Sequence, residues 1–323
     1  FRPDLIWTKN RIGGYNNVLV DSLRGNQKVI ISNASNAEGT CTEGITAFNS
    51  DGYSVGANTS SGGFEDDFNG TYNSSNYVSW NWKAGNSAGS SNSNGSITST
   101  VSANTTAGFS IVSYTGTGSN ATVGHGLGAV PKMIITKSRN NTYNWTSYHA
   151  SLGNTGRIRL NSNSAADTGQ TNWNSTTPTS SVFSVGTNAD VNGSGNNVIA
   201  YCFAEKTGYS KFGSYTGNGN ANGTFVYTGF KPAFVIIKNT DLSAENWLMH
   251  DSKRRTFNPN NTFLYPNLSN AEVVNNTYPI DLLSNGFKAR NNNDQWNGSG
   301  HSYIYMAFGQ TLVGSNNVPA TAR

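Results

Sequence analysis

The chain has 323 residues, of which 35% are hydrophobic and 12% charged, with a formal net charge of +4. Asn, Ser, Thr and Gly fill the gap, and such a mixture excludes long helices, because Ser and Asn compete for backbone hydrogen bonds and Gly loses most entropy on ordering. Disorder goes with few aromatics and high net charge, yet 15 Tyr, 15 Phe and 7 Trp stand in short runs here, so compact domains are expected.

Along the chain, one pattern occurs three times. Its first landmark is a Pro followed by an apolar run and a Lys: Pro3-Asp4-Leu5-Ile6-Trp7-Thr8-Lys9, Pro131-Lys132-Met133-Ile134-Ile135-Thr136-Lys137 and Pro232-Ala233-Phe234-Val235-Ile236-Ile237-Lys238. An apolar run of this length suits a strand buried on both faces, with the Lys reaching the rim where its head stays wet. Next come Val20-Asp21-Ser22, His149-Ala150-Ser151 and His250-Asp251-Ser252, the latter two preceded by Trp145 and Trp247. This alignment makes His149 and His250 equivalent. The third landmark is Tyr53-Ser54-Val55-Gly56, Phe183-Ser184-Val185-Gly186 and Phe287-Lys288-Ala289-Arg290. Asp51-Gly52 and Asn285-Gly286, ahead of two of these, suit hairpin turns through tolerance of positive φ; Ser181-Val182 in the second copy requires another turn type.

Each copy closes on an aromatic strand: Tyr77–Trp82, 198–203 and 303–308. In the last, Ile304, Met306 and Phe308 should face one side and Tyr303, Tyr305 and Ala307 the other. A further strand precedes the second and third Pro, where Phe109-Ser110-Ile111-Val112-Ser113-Tyr114-Thr115-Gly116-Thr117-Gly118 matches Tyr209-Ser210-Lys211-Phe212-Gly213-Ser214-Tyr215-Thr216-Gly217-Asn218-Gly219. The first copy lacks it; residues upstream of Phe1 are its expected source, and another segment or chain is the alternative. The expected organisation is a first repeat at 1–84 without its opening strand, a Ser/Asn/Gly-rich linker or long loop at 85–107, a second repeat at 108–206, a third at 207–311 and a tail at 312–323. The fold class is all-β, with a β-sandwich in each repeat; the last two repeats should pack as neighbours while the first sits apart.

Few residues invite chemistry. No spacing suggests a metal site near the 4 His, and neighbours such as His250-Asp251-Ser252 point to opposite faces of a strand, which rules out a triad relay. Glu65-Asp66-Asp67 fits a calcium loop poorly, and both it and Lys253-Arg254-Arg255 read as solvated loops. Thr115-Gly116-Thr117-Gly118 resembles a phosphate loop, but no helix follows to complete one, so it reads as a hairpin turn. Cys41 and Cys202 fall at different places in their repeats and read as buried free thiols. No apolar stretch reaches the roughly 20 residues that cross a bilayer, and basic residues do not cluster as nucleic-acid binding requires. The expectation is a protein with no catalytic residues, cofactor or metal, no nucleic-acid partner and no membrane insertion. Trp173, Trp296, Trp145 and Trp247 stand among Asn and Ser, where an indole could stack on a sugar ring; the competing assignment for Trp145 and Trp247 is equivalent core positions.

The strings Gly108-Phe109-Ser110-Ile111-Val112-Ser113-Tyr114-Thr115-Gly116-Thr117-Gly118, His125-Gly126-Leu127-Gly128, 208–219 and 312–323 resemble a repeat family from tailed phages, especially those of marine bacteria. The resemblance implies a non-enzymatic virion surface protein, a tail fibre or spike component touching host-surface glycans. A capsid decoration or head-fibre protein is the alternative, and a polysaccharide-degrading enzyme a more distant one. Other virion proteins and copies of itself, in a trimer by family resemblance, are the implied partners.

Overall fold

The computed structural model describes residues 1–59, 63–70 and 76–310; the 312–323 tail and its motif lie outside them. Strand dominates, and the helical elements among the described residues are single turns, Asp66–Asn69, Ala150–Leu152 and Ala189–Asn192. The protein is an all-β, sandwich-like fold.

Each repeat builds one antiparallel main sheet around its Pro-led strand: Leu5–Asn10, Pro131–Ser138 and Pro232–Asn239. On one side lies a return strand (Asn17–Asp21, Thr146–His149 or Leu248–Asp251), and on the other the closing strand (Tyr77–Trp82, Asn197–Ala204 or Ser302–Gly309). The opening strands Phe109–Thr115 and Ser210–Thr216 pair with the outer edges of the second and third closing strands. The first main sheet has no such strand among the described residues, and Tyr77–Trp82 forms its edge.

The 85–107 segment is not a linker. Ser90–Asn92 and Ser99–Asn104 are strands that extend the second sheet beyond Phe109–Thr115. Polar residues join a sheet through their backbone groups, and the addition covers an edge that would otherwise be open.

A smaller set of strands covers the outer face of each main sheet. Ile45–Asn49 pairs with Gly52–Val55, Ala121–Gly124 with Val182–Val185, and Gly286–Ala289 with both Phe225–Tyr227 and Ile280–Leu283. The inner faces of all three main sheets meet in one shared core that includes Trp7 and Trp82, Ile135 and Phe203, and Ile236 and Phe308. Along the third closing strand, Ile304, Met306 and Phe308 enter this shared core while Tyr303, Tyr305 and Ala307 enter the third repeat's own core. That is the expected period of two. The expectation that the first repeat sits apart fails, because each large apolar side chain in the shared core contributes about 1.5–3 kcal/mol and the first sheet inserts Leu5, Trp7, Leu19, Trp80 and Trp82.

The three repeats follow one another around a closed ring. The Trp145 Nε1–H donates to the Ile31 carbonyl at 2.7 Å and the Trp247 Nε1–H to the Arg159 carbonyl at 2.9 Å, while the Asn17 amide donates to the Tyr265 carbonyl at 3.0 Å. Strand pairing places the donors at equivalent positions, and likewise the acceptors. A second cycle runs through the backbone: the amides of Glu38, Ala166 and Glu272 donate to the carbonyls of Arg139, Thr240 and Arg11. In both cycles the second repeat touches the first, the third the second, and the first the third.

The structure corrects three expectations. Leu5 opposes Asp21, Met133 opposes His149 and Phe234 opposes Asp251, so His149 occupies the place of Asp21 and Asp251, and His250 that of Val20 and Tyr148. The loop before Trp145 is one residue shorter than that before Trp247, counting from each Lys (145 − 137 = 8, 247 − 238 = 9). Secondly, Lys9, Lys137 and Lys238 are fully buried. Their ammonium groups donate to the carbonyls of Asn10, Ser138 and Asn239, and those of Lys9 and Lys137 also to Gly13 and Asn141. The last residue of each strand, and for Lys9 and Lys137 also the turn after it, brings these carbonyls onto the ammonium, and burial lowers each pKa to about 8. Thirdly, both Gly-marked hairpins form, yet Gly52 and Gly286 open their second strands without positive φ. At Gly286 close approach decides, since a Cβ would lie 2.1 Å from the Val226 carbonyl oxygen. The second repeat turns differently, as expected, with the Thr179 hydroxyl accepting from the amides of Ser181 and Val182.

Candidate functional site

All four Trp singled out as sugar contacts are interior. Trp145 and Trp296 are 0% exposed, Trp173 and Trp247 1%. Each indole N–H is taken by the chain itself: Trp173 donates to Gly156 O and Trp296 to Asn291 Oδ1, alongside the two inter-repeat bonds above. Trp145 stacks on Tyr201 and Trp296 on His250. A stacking sugar has no access to any of them. Their Asn- and Ser-rich sequence surroundings come from turns that fold over the rings and satisfy their polar edges.

The other candidates are likewise absorbed into structure. The 115–118 segment is not the expected hairpin turn, because Phe109–Thr115 and Ala121–Gly124 pair in different sheets; the amides of Gly116, Thr117 and Gly118 bond to Asn196 and Asn192, so it offers no free N–H cradle for phosphate. His125 and His149 each accept a backbone N–H at Nδ1 and place Nε2 against a carbonyl, of Thr179 and Tyr305 respectively. That arrangement holds the neutral Nε2–H tautomer, and burial lowers the pKa of both, to about 4 for His149. His250 faces Trp296 and Phe263, whereas its neighbour Asp251 reaches Trp80 and Arg254, so the two diverge as adjacent strand residues must. Cys41 and Cys202 are buried free thiols whose pKa values burial pushes up, that of Cys41 to about 12. Among the described residues, no group of three or more His, Cys, Asp or Glu is placed to hold a metal ion.

Two charge runs expected to be solvated are so only in part, with Lys253 exposed but one charged side chain of each run enclosed. Within Glu65-Asp66-Asp67, the Asp67 side chain is buried and accepts from the backbone and side-chain amides of Asn16; burial raises its pKa to about 6. Within Lys253-Arg254-Arg255, the Arg254 side chain is 2% exposed and pairs with Asp251 at 2.5 Å and Glu272 at 2.8 Å. Arg11 of the first repeat completes that cluster at Glu272. The first repeat holds the counterpart: Arg24 pairs with Asp21 and Glu38, and Glu38 with Arg139 of the second repeat. At the Arg24 guanidinium, burial works against the charge, but Asp21, Tyr201 and Glu38 outweigh it and raise the pKa above its ordinary value. The second repeat has His149, Leu152 and Ala166 at the corresponding places, an apolar version of the same joint. Asp21-Ser22-Leu23-Arg24 and Asp251-Ser252-Lys253-Arg254 share a spacing that could have revealed these clusters in the sequence.

One surface feature remains. Beside the open edge of Tyr77–Trp82 lies a cavity of about 390 Å³, lined by Val78, Trp80, Trp82, Tyr209, Phe234 and Phe308 together with Phe1, Asp251, Lys253 and Gln310. The Trp82 ring meets Phe234 and Phe308 edge-on at the cavity wall. The first closing strand is buried only at Trp80 and Trp82, whereas in the other two every residue after the first is buried. The groove therefore occupies the place that an opening strand fills in the second and third repeats.

Residues 1–311 match the family model of a domain of unknown function (DUF7483). No curated protein and no solved structure matches the chain.

Proposed function

The chain belongs to the DUF7483 family, and from that premise we propose that it is a non-enzymatic scaffold module of a phage virion surface protein, of the tail fibre or spike type, that contacts host-surface glycans. One observation carries the scaffold part of this reading. Three repeats close around a shared core, and the polar clusters between them are bonded internally, which makes a rigid body whose loops are free to vary. The virion assignment rests on the resemblance of the repeat strings to tailed-phage proteins. Any glycan contact belongs to these loops, because the indoles are enclosed.

Immunogold labelling of purified particles tests the placement. Label at the tail supports the proposal, label on the capsid favours a decoration protein, and absence from particles refutes both. A glycan array tests the contact, and no saccharide retained at high protein concentration removes that part. Incubation with host-surface polysaccharide should leave its size distribution unchanged; a shift to smaller fragments refutes the non-enzymatic reading.

A further inference from the structure

We propose that the outer face of Phe225–Tyr227, a short strand of the third repeat held between two loops, is a binding platform for an acidic oligosaccharide, a chain of pyranose units bearing carboxylates. This rests on the glycan-contact reading above and gives it a place and a ligand class. Val226 turns into the third repeat's core, so Phe225 and Tyr227 turn outward and are 44% and 63% exposed. A Cβ on Gly286 would lie 2.9 Å from the Phe225 ring, and one on Gly229 3.5 Å from the Tyr227 hydroxyl oxygen. Each ring thus leans over a glycine, and its open surface is the side turned away from that backbone. The C–H face of a pyranose stacks on such a surface. The two residues stand about 7 Å apart along the strand, a distance that successive sugar units span.

The charge beside the rings selects the ligand. Phe225 opposes Lys288, which opposes Asp281 on its other side. Asp281 pairs with Arg290 at 3.5 Å, whereas among the described residues the Lys288 ammonium has no ion pair or hydrogen bond and the Tyr227 hydroxyl no hydrogen bond. An unpaired cation next to one ring suits a carboxylate, and a free hydroxyl next to the other suits sugar hydroxyls. The strand edge adds to them. The Thr224 carbonyl accepts from Ala289 and the Thr228 amide donates to Asn285, so alternation turns the backbone groups of Phe225 and Tyr227 toward an edge with no partner strand among the described residues. At three residues this edge gives an added strand little ladder, but it offers hydroxyl groups both donors and acceptors. The second repeat closes the same place. Thr122 and Gly124 stand where Phe225 and Tyr227 do, and the Ile97 amide donates to the Thr122 carbonyl while the amides of Ser96 and Thr122 each donate to the other's hydroxyl.

The probes are oligomers of galacturonate, glucuronate and mannuronate and a sialylated oligosaccharide, each beside its carboxyl methyl ester, titrated into the full chain by calorimetry at pH 7. At least one acid should bind more tightly than its ester and lose affinity as salt is added. Tyr227→Ala should weaken that binding roughly tenfold or more, with Tm unchanged because the side chain is exposed. Lys288→Gln should bind acid and ester alike. Failure of every acidic probe, equal binding of acid and ester by the wild type, or affinity unmoved by Tyr227→Ala or by Lys288→Gln overturns the proposal. So does sedimentation showing a dimer that Tyr227→Ala dissolves, which would assign the face to a second copy. Saccharides retained on the glycan array equally by wild type and both variants would keep the glycan-contact reading and remove this site, whereas an array that retains none removes both.

Discussion

The buried guanidinium of Arg24 gives a sharp test of how the repeats are joined. Its side chain is 0% exposed and donates to Asp21, to Glu38, to the carbonyls of Leu19 and Lys28, and to the Tyr201 hydroxyl. Arg24→Leu removes the cation and leaves Asp21 and Glu38 enclosed, and breaking a buried ion pair in this way costs about 3–5 kcal/mol. With an unfolding entropy of about 2.1 cal/mol/K per residue over 323 residues, roughly 0.7 kcal/mol/K in all, Tm should fall by roughly 4–7 °C. The triple change Asp21→His, Arg24→Leu, Glu38→Ala copies the apolar joint that the second repeat already has in His149, Leu152 and Ala166. Because it removes the anions along with the cation, it should cost less than Arg24→Leu alone, although it alters more residues. Scanning calorimetry of the wild type and both variants at pH 7 reads the comparison. A cost for Arg24→Leu of under about 1 kcal/mol, as for an exposed pair, or a triple variant less stable than the single, would refute the reasoning.

Three further outcomes follow from burial. His149 has its folded pKa lowered to about 4 from an ordinary 6.5, so the unfolded chain takes up a proton between these values while the fold does not. Stability contributed by neutral His149 is present above pH 6.5 and lost as pH falls toward 4, by up to about 3 kcal/mol. Asp67, with its pKa raised, acts in the opposite sense over part of this range, and the measurement is therefore the difference in Tm slope between wild type and His149→Gln. Equal slopes would refute the assignment. All 7 Trp are at most 8% exposed, so native fluorescence should be blue-shifted, weakly quenched by acrylamide and unchanged by any bound saccharide. Strong quenching would show an indole open to solvent. Cys41 and Cys202 should resist a disulfide-exchange reagent in the native state and both react after denaturation; fast native labelling of either would contradict its burial.

Local periodicity was legible in the sequence wherever a side chain's environment depends on its own strand. The Pro-led strands are buried on both faces, and Ile304, Met306 and Phe308 divide from Tyr303, Tyr305 and Ala307 because successive strand residues must point to opposite sides. The missing opening strand was also visible as a gap in the repeat, and it became the groove beside Trp80. The sequence does not state which faces meet. The polar 85–107 segment joins a sheet through backbone groups that every residue carries, whatever its side chain.

Trp145, Trp173, Trp247 and Trp296 illustrate the same limit. An indole among Asn and Ser reads alike whether the polar residues are solvated or fold over it, and only the closing of turns and neighbouring repeats encloses these four. Lys9, Lys137 and Lys238 were assigned wet ammonium groups from their place at a strand end, yet the backbone there supplies carbonyls instead of water. The sequence by itself therefore determined the repeat, its strands and their alternation, which are properties of short range. The ring of three around one core, the buried charges at its joints and the groove beside Tyr77–Trp82 were decided by tertiary structure, because each depends on groups contributed by more than one repeat.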